Sequence, residues 1–341
     1  MTEPILPVGK LPFELLGSLL SSLATTDESV IVGPGLGRDA AVIDVDGTLL
    51  VIKSDPVTFV SREAGTYLVN VNANDLSCLG AIPRWMLVTA LLPEHGSTPE
   101  MVTALFEQLR STCDSLGISL IGGHTEITAG VPRPLLIGTL IGTAPPQGLL
   151  HPGQANPGDR LLLARPAGIE GTALLALERE TELTAIFGGE FVQSAQRLLH
   201  DPGISVLRIA HTLLETGAIT ALHDPTEGGV ATGVREIAAA SGLGAVMNRE
   251  LVPLLDETRA IADHYGLDPL GMLSSGTLLA AVSADRVDNV MHHLATADFE
   301  TAVIGKLTAP ASGFQLIEAN RALELPSFQT DEVTRALASS E

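Results

Sequence analysis

Apolar residues recur along the chain in two rhythms. Short runs that alternate or stay apolar read as strands: 39–45 (DAAVIDV), 48–55 (TLLVIKSD), 83–93 (PRWMLVTALLP) and 134–144 (PLLIGTLIGTA). Asp46-Gly47 joins the first two, a dipeptide suited to a two-residue hairpin turn. Helical spacing covers about 62–80 and 98–116. The second helix opens with Thr98-Pro99-Glu100, a capping hydroxyl followed by proline at the first helical position, and ends at Gly117. A Pro- and Gly-rich stretch over 145–158 marks a boundary. Beyond it a second α/β unit is expected, with strands at 159–164, 218–223, 244–248, 277–283, 301–307 and 313–318. Its helices are expected at 170–178, 190–200, 204–216, 227–241 and 285–296. The chain thus divides into domains 1–150 and 151–325, with 326–341 as a tail. No internal repeat is visible at the level of residue identity. Strand 135–144 is apolar on both faces and needs cover on two sides, which predicts a homodimer.

Composition narrows the function classes. The 341 residues are 45% hydrophobic and 17% charged, which excludes a disordered chain and suits about two domains. Aromatics are only 3%, so the cores are built from Ala, Val, Ile and Leu. The net charge of −21 repels phosphate backbones and argues against nucleic acid as a partner. It leaves room for a small phosphate ligand whose charge metal ions offset. Cys78 and Cys113 fall inside predicted helices with no CxxC or Cys/His spacing, which speaks against a disulfide framework or zinc knuckle and for a reducing cytoplasm. The N-terminus lacks the pattern of a secretory signal, and no 18-residue apolar run predicts a membrane span.

Five segments carry candidate chemistry. Gly33-Pro34-Gly35-Leu36-Gly37-Arg38-Asp39 is a glycine-rich loop entering a strand that opens with an acid. Such a loop lets backbone approach a phosphate or metal, and it also reads as a plain turn. Lys53-Ser54-Asp55-Pro56 ends a strand in a second acid, which suits Mg²⁺ or a turn cap equally. Asn72 and Asp75 interrupt an apolar helical stripe, with Leu68 and Leu79 on either side. A buried mid-helix carboxylate is costly unless paired or ligated. In Gly122-Gly123-His124-Thr125-Glu126 the double glycine predicts close backbone approach, and His124 and Glu126 are candidates for metal or phosphate. Last, His223-Asp224-Pro225-Thr226-Glu227-Gly228-Gly229 follows a strand, with Thr226 as the expected cap of the helix beginning at 227. No GxSxG, Walker A or strand-linked GxGxxG is present, so separated acids at strand ends favour a metal–polyphosphate site over a nucleophile triad.

In this order the five segments resemble the aminoimidazole ribonucleotide (AIR) synthetase superfamily, PurM-like in fold, over about 9–318, and within it the HypE-like, AIR synthase-related branch. The resemblance implies an α/β (α+β) two-domain fold, with the N-terminal domain completing a β-barrel across a homodimer and an α/β C-terminal domain beside it. It implies an enzyme using ATP and Mg²⁺ to phosphorylate a small-molecule substrate. By matching position, Asp39, Asp55 and Asp75 become the Mg²⁺ ligands, and Lys10, His124 and Asp224 the catalytic group. Gly35, Gly37, Asn74, Gly122, Gly123 and Glu126 become the nucleotide contacts. Three departures stand out. Arg38 replaces an acid before Asp39, and His124 replaces a carboxylate. The sequence ends in Thr334-Arg335-Ala336-Leu337-Ala338-Ser339-Ser340-Glu341, without the cysteine tail through which HypE modifies itself. Two other readings stay open: a non-catalytic nucleotide-binding partner or regulator, and a thiamine-monophosphate kinase-like enzyme, to which few aromatics and the single Trp85 lend little support.

Overall fold

The Asp46-Gly47 turn folds as its sequence dictates. Both residues take positive φ (51° and 85°), the geometry that matches strand twist in a two-residue hairpin, and Gly47 N–H donates to the Asp44 carboxylate at 2.7 Å. This hairpin begins the N-terminal sheet of a computed structural model. The structure describes Leu6 and residues 11–338, apart from 24, 36, 37, 39, 59–61, 146, 147, 152 and 329, with Phe13 as backbone alone. Lys10, Gly37 and Asp39 therefore lie outside the described residues.

The N-terminal unit contains α1 (Phe13–Ser21), β1 (Val30–Val32), β2 (Ala41–Val45), β3 (Thr48–Val57), α2 (Ala64–Cys78), β4 (Ile82–Pro93), α3 (Pro99–Ser115), β5 (Ser119–Thr128) and β6 (Leu135–Ala144). Its sheet runs β1-β2-β3-β6-β4-β5. β6 alternates between buried and half-buried residues. Leu136, Leu140 and Ala144 lie on its buried face, where Gly138 and Gly142 admit the side chains of α2. The opposite face is open in this chain, with Trp85 and Leu87 each 37% exposed. α3 starts as predicted: Thr98 Oγ1 accepts from Met101 N–H at 3.2 Å, with Pro99 in the first turn.

The second unit contains β7 (Arg160–Ala164), α4 (Ile169–Glu178), α5 (Glu180–Phe187), α6 (Gly189–Arg197), α7 (Leu207–Glu215), β8 (Ile219–His223), α8 (Gly229–Ala240), β9 (Gly244–Asn248), α9 (Asp256–Tyr265), β10 (Leu278–Val282), α10 (Val287–Thr296), β11 (Thr301–Thr308), β12 (Phe314–Glu318), β13 (Arg321–Glu324) and α11 (Glu332–Ala338). Its sheet runs β13-β12-β9-β11-β7-β10-β8. One apolar cluster joins the units, linking Tyr67 and Leu68 of α2 to Ile169 and Ala173 of α4. Among the described residues no helix is long and apolar enough to cross a membrane.

Several elements differ from expectation. Helices α1, α5, α9 and α11 and strands β1 and β13 were not predicted. The segment from Asp331 to Ala338 is no loose tail: Val333 and Ala336 are buried, and Arg179 donates to the carbonyls of Ala336 (3.0 Å) and Leu337 (2.6 Å) at the end of α11. Thr226 does not cap α8. The helix begins two residues later, at Gly229, with Gly228 as a left-handed N-cap (φ 78°). A side chain at Gly229 would collide with the carbonyls of Leu270 and Met272, so the backbone itself must turn there.

Candidate functional site at the domain seam

Helix α2 is polar on two sides because it packs against two partners. On one side Asn72 and Asp75 face β3. Asn72 Nδ2 donates to Leu68 O (2.9 Å), and its Oδ1 accepts from Asp55 N–H (3.2 Å). Gly138 is paired with Asp55 on the neighbouring strand, and a Cβ there would press on Asn72. Glycine at 138 therefore lets helix and sheet meet. Lys53, two residues before Asp55 on β3, completes the group: its Nζ lies 2.9 Å from Asp75 Oδ2 and 3.3 Å from Asp55 Oδ2. The lysine and Asp75 are nearly buried, at 13% and 9% side-chain exposure. Asp75 is thus paired, which answers the cost of its place in the helix. Lys53 was named from the sequence only as part of the strand end at Asp55, with no role of its own. Its one signal was a charge inside an otherwise apolar strand.

On its other side α2 faces the second domain. Asn74, expected at the nucleotide, spends its amide on a clamp: Nδ2 donates to Ile204 O and Oδ1 accepts from Val206 N–H, both at 2.9 Å. One turn on, the Cys78 thiol donates to Asp224 Oδ1 at 3.7 Å. Asp224 is 2% exposed at the end of β8. Next to it His223 Nε2 lies 2.7 Å from Glu236 Oε2 on α8. Asp75 and Cys78 are three residues apart, roughly 4.5 Å along the axis. The structure therefore brings Asp55, Asp75 and Asp224 around a single helix, as acids from both domains at one seam.

Two described glycines of the glycine-rich segment, Gly33 and Gly35, lie against Arg38. Arg38 Nη1 donates to Gly33 O at 3.2 Å, and a Cβ on Gly35 would meet the Arg38 side chain. The segment from Gly122 to Glu126 stands elsewhere. It belongs to β5, at the sheet edge, three strands from β3, a separation of roughly 14 Å. Within one chain His124 and Glu126 do not join Asp55 and Asp75. They pair with each other, His124 Nε2 to Glu126 Oε2 at 3.1 Å, and Thr128 Oγ1 donates to Glu126 Oε1 at 2.8 Å. Those contacts hold the Glu126 carboxyl below its ordinary range, the Thr128 hydroxyl first among them. The double glycine has a backbone cause. Gly123 has φ 144°, and a Cβ there would sit 1.8 Å from Val88 O.

Behind the seam lie acids that sequence reasoning did not single out. Glu170, in the first turn of α4, accepts from Ser275 N–H at 3.3 Å, and burial pushes its carboxyl up to about 7. Asp331, just before α11, accepts from the N–H groups of Gly228 (2.8 Å), Val333 (2.8 Å) and Leu273 (3.4 Å). Burial nevertheless pushes it up to about 6. Asp331 thereby ties the last helix to the turn that opens α8. Neither acid has a local sequence signal: Glu170 reads as a helix-start residue, and Asp331 falls in the stretch read as a tail.

The donor set fits a hard cation. No group of three or more His, Cys, Asp or Glu able to hold a metal occurs among the described residues. Mg²⁺, however, is commonly held by one or two carboxylates, with water and phosphate oxygens completing its shell, and Asp55 and Asp75 supply two.

The N-terminal domain model of the AIR synthase related proteins matches residues 37–144, and the C-terminal domain model matches 156–316. Carbamoyl dehydratase HypE of Azotobacter vinelandii is 28% identical over 267 residues, covering 77% of this chain and 75% of that protein. The crystal structure of the hydrogenase maturation protein HypE in complex with ATP superimposes with a TM-score of 0.70 at 24% identity, covering 86% of this chain and 90% of that one. The structure of AaThiL complexed with AMPPCP and TMP gives a TM-score of 0.70 at 17% identity, covering 92% and 97%. These superpositions show the PurM-like two-domain α/β fold that the resemblance implied. The chain belongs to the AIR synthase related protein family, with HypE-type proteins among its relatives.

Proposed function

We propose that the protein is an ATP- and Mg²⁺-dependent enzyme that transfers the γ-phosphoryl group of ATP to a small substrate, with ADP leaving. The observation that carries this is the Lys53–Asp55–Asp75 group on one side of α2 with Asp224 on the other. The ATP complex of HypE and the AMPPCP complex of AaThiL, two proteins of this fold, support nucleotide as the ligand. Asp55 and Asp75 would hold Mg²⁺, which supplies charge neutralisation for the phosphates. Lys53 already sits between those carboxylates. It keeps them together without nucleotide and offers an ammonium to phosphate oxygens when the ligand enters. Asp224, held by the Cys78 thiol, faces the seam from the second domain as the acid nearest an incoming acceptor. Lys10 and Asp39 are assigned to the phosphate side on the family resemblance. The protein is further proposed to act as a homodimer whose apolar sheet faces, including Trp85 and Leu87, cover one another.

ATP turnover tests the reading. ADP release in the presence of Mg²⁺ and small carboxamides or alcohols should exceed the rate without acceptor, and should fall in Asp224→Asn. If Mg-ATP binds but no acceptor raises ADP release, the protein is a nucleotide-binding partner without turnover. The thiamine-monophosphate kinase reading gains no observation here beyond the shared fold.

A further inference from the structure

The seam also holds a groove that the nucleotide reading does not use. Its larger part, about 600 Å³, lies between α2, α3 and the turn at 199–205. A recess of about 300 Å³ continues from it towards α6, sharing Glu63, Leu199 and His200. That size suits one small molecule. Along α2 the groove takes Glu63, Thr66 and Asn70, one stripe of the helix. Its α2 lining thus ends at Asn70, roughly 8 Å along the helix axis from Asp75.

The walls are built before any ligand arrives. The 203–206 segment is held from behind by Arg165, whose Nη1 donates to Gly203 O (3.0 Å) and Ser205 O (3.1 Å), and by the Asn74 clamp. On the opposite wall Gln108 Oε1 accepts from Gly65 N–H at 3.2 Å, which fixes α3 to the start of α2. Glu63 stands at the mouth in a left-handed conformation (φ 58°, ψ 18°), which costs a non-glycine residue roughly 1 kcal/mol or more. Its Oε2 accepts from Thr66 Oγ1 at 2.9 Å. Strain of this kind persists where surrounding structure imposes it, and here it turns a carboxylate towards the groove.

Charge then sets the ligand class. Glu107, on the far rim, is neutralised by Arg110 at 2.6 Å. Glu63 has no ion pair among the described residues, and neither has Arg197, which lines the same recess. The two opposite charges share one recess without closing on each other. Hydroxyls of Ser111 and Ser115 line the larger part.

We propose that this groove binds a small zwitterion of the α-amino acid class, its ammonium on Glu63 and its carboxylate on Arg197. Bridging both domains, such a ligand would act as an effector of the seam. Calorimetric titration of the twenty common α-amino acids into the nucleotide-free protein tests this, with methylamine and acetate as single-charge controls. At least one amino acid should bind with a Kd below about 1 mM, and Glu63→Gln and Arg197→Gln should each weaken it about tenfold or more. Both single-charge controls should bind more weakly than that. Mg-ATP affinity should be unchanged in Glu63→Gln, so a failure of the nucleotide reading would be seen separately. The proposal is overturned if no amino acid reaches that affinity, if both folded variants bind it as the parent does, or if either control binds as well.

Discussion

Glu170 illustrates what burial does to a single side chain. A carboxyl raised from an ordinary 4.5 to about 7 holds its proton more tightly in the folded state than in the unfolded one. Its contribution to stability is complete below pH 4.5 and is lost as the pH rises through about 7, some 3 kcal/mol in all. Glu170→Gln keeps an acceptor for Ser275 N–H and removes the charge. Urea melts at pH 5 and pH 8 should show the parent losing stability between them and the variant losing roughly 2 kcal/mol less. A variant that is the weaker at pH 8 would contradict the account. Glu170 was invisible in the sequence because a first-turn glutamate is usually a solvated partner of the helix dipole. Asp75 was legible for the opposite reason, a charge on an apolar stripe. What sequence could not supply was its partner, because Lys53 meets Asp75 only when α2 lies on β3. Asn74, beside it, looked like a ligand and proved to be a clamp. An amide in a helix gives no sign of which backbone it will meet.

Among the elements, most strands and the longer helices were legible, whereas α1, α5, α9, α11 and the short strands β1 and β13 were not. The Asp46-Gly47 hairpin and the Thr98-Pro99 helix start both carry local chemistry that fixes them. By contrast α1, α5 and α9 follow Pro12, Arg179 and Leu255 as N-caps with no side-chain cap, so their starts carry no capping signal. Tertiary packing makes them helices instead. The Gly122-Gly123 pair was recognised as a place of close approach, and the approaching group is the backbone of β4. With φ 144° and Val88 O in the path of any Cβ, Gly123→Ala should destabilise the protein by about 3 kcal/mol or more. A denaturant melt measures this directly. A shift under about 0.5 kcal/mol, as at an unconstrained surface site, would mean that β5 does not lie against β4 in this register.

For the whole molecule, the open face of the N-terminal sheet and the two-sided α2 make separate demands. The apolar face around Trp85 and Leu87 calls for cover, and the proposed cover is a second copy of the chain. Light scattering should give a dimer for the parent and a monomer for Leu87→Glu, and the emission of the single Trp85 should shift to the red in the variant. A parent that stays monomeric at micromolar concentration would remove the dimer from the account. At the seam, Asp55 and Asp75 are proposed to hold a metal–nucleotide complex. Asp75→Asn keeps the shape of the side chain and removes its charge from Lys53, so some loss of apo stability is expected. Calorimetric titration of ATP, with Mg²⁺ and with chelator, into the parent and into folded Asp75→Asn is the most direct measurement. The account predicts Mg²⁺-dependent binding to the parent, weakened at least about tenfold, or 1.4 kcal/mol, in the variant. Equal affinity in the two proteins, or no binding of millimolar Mg-ATP to the parent, would contradict it.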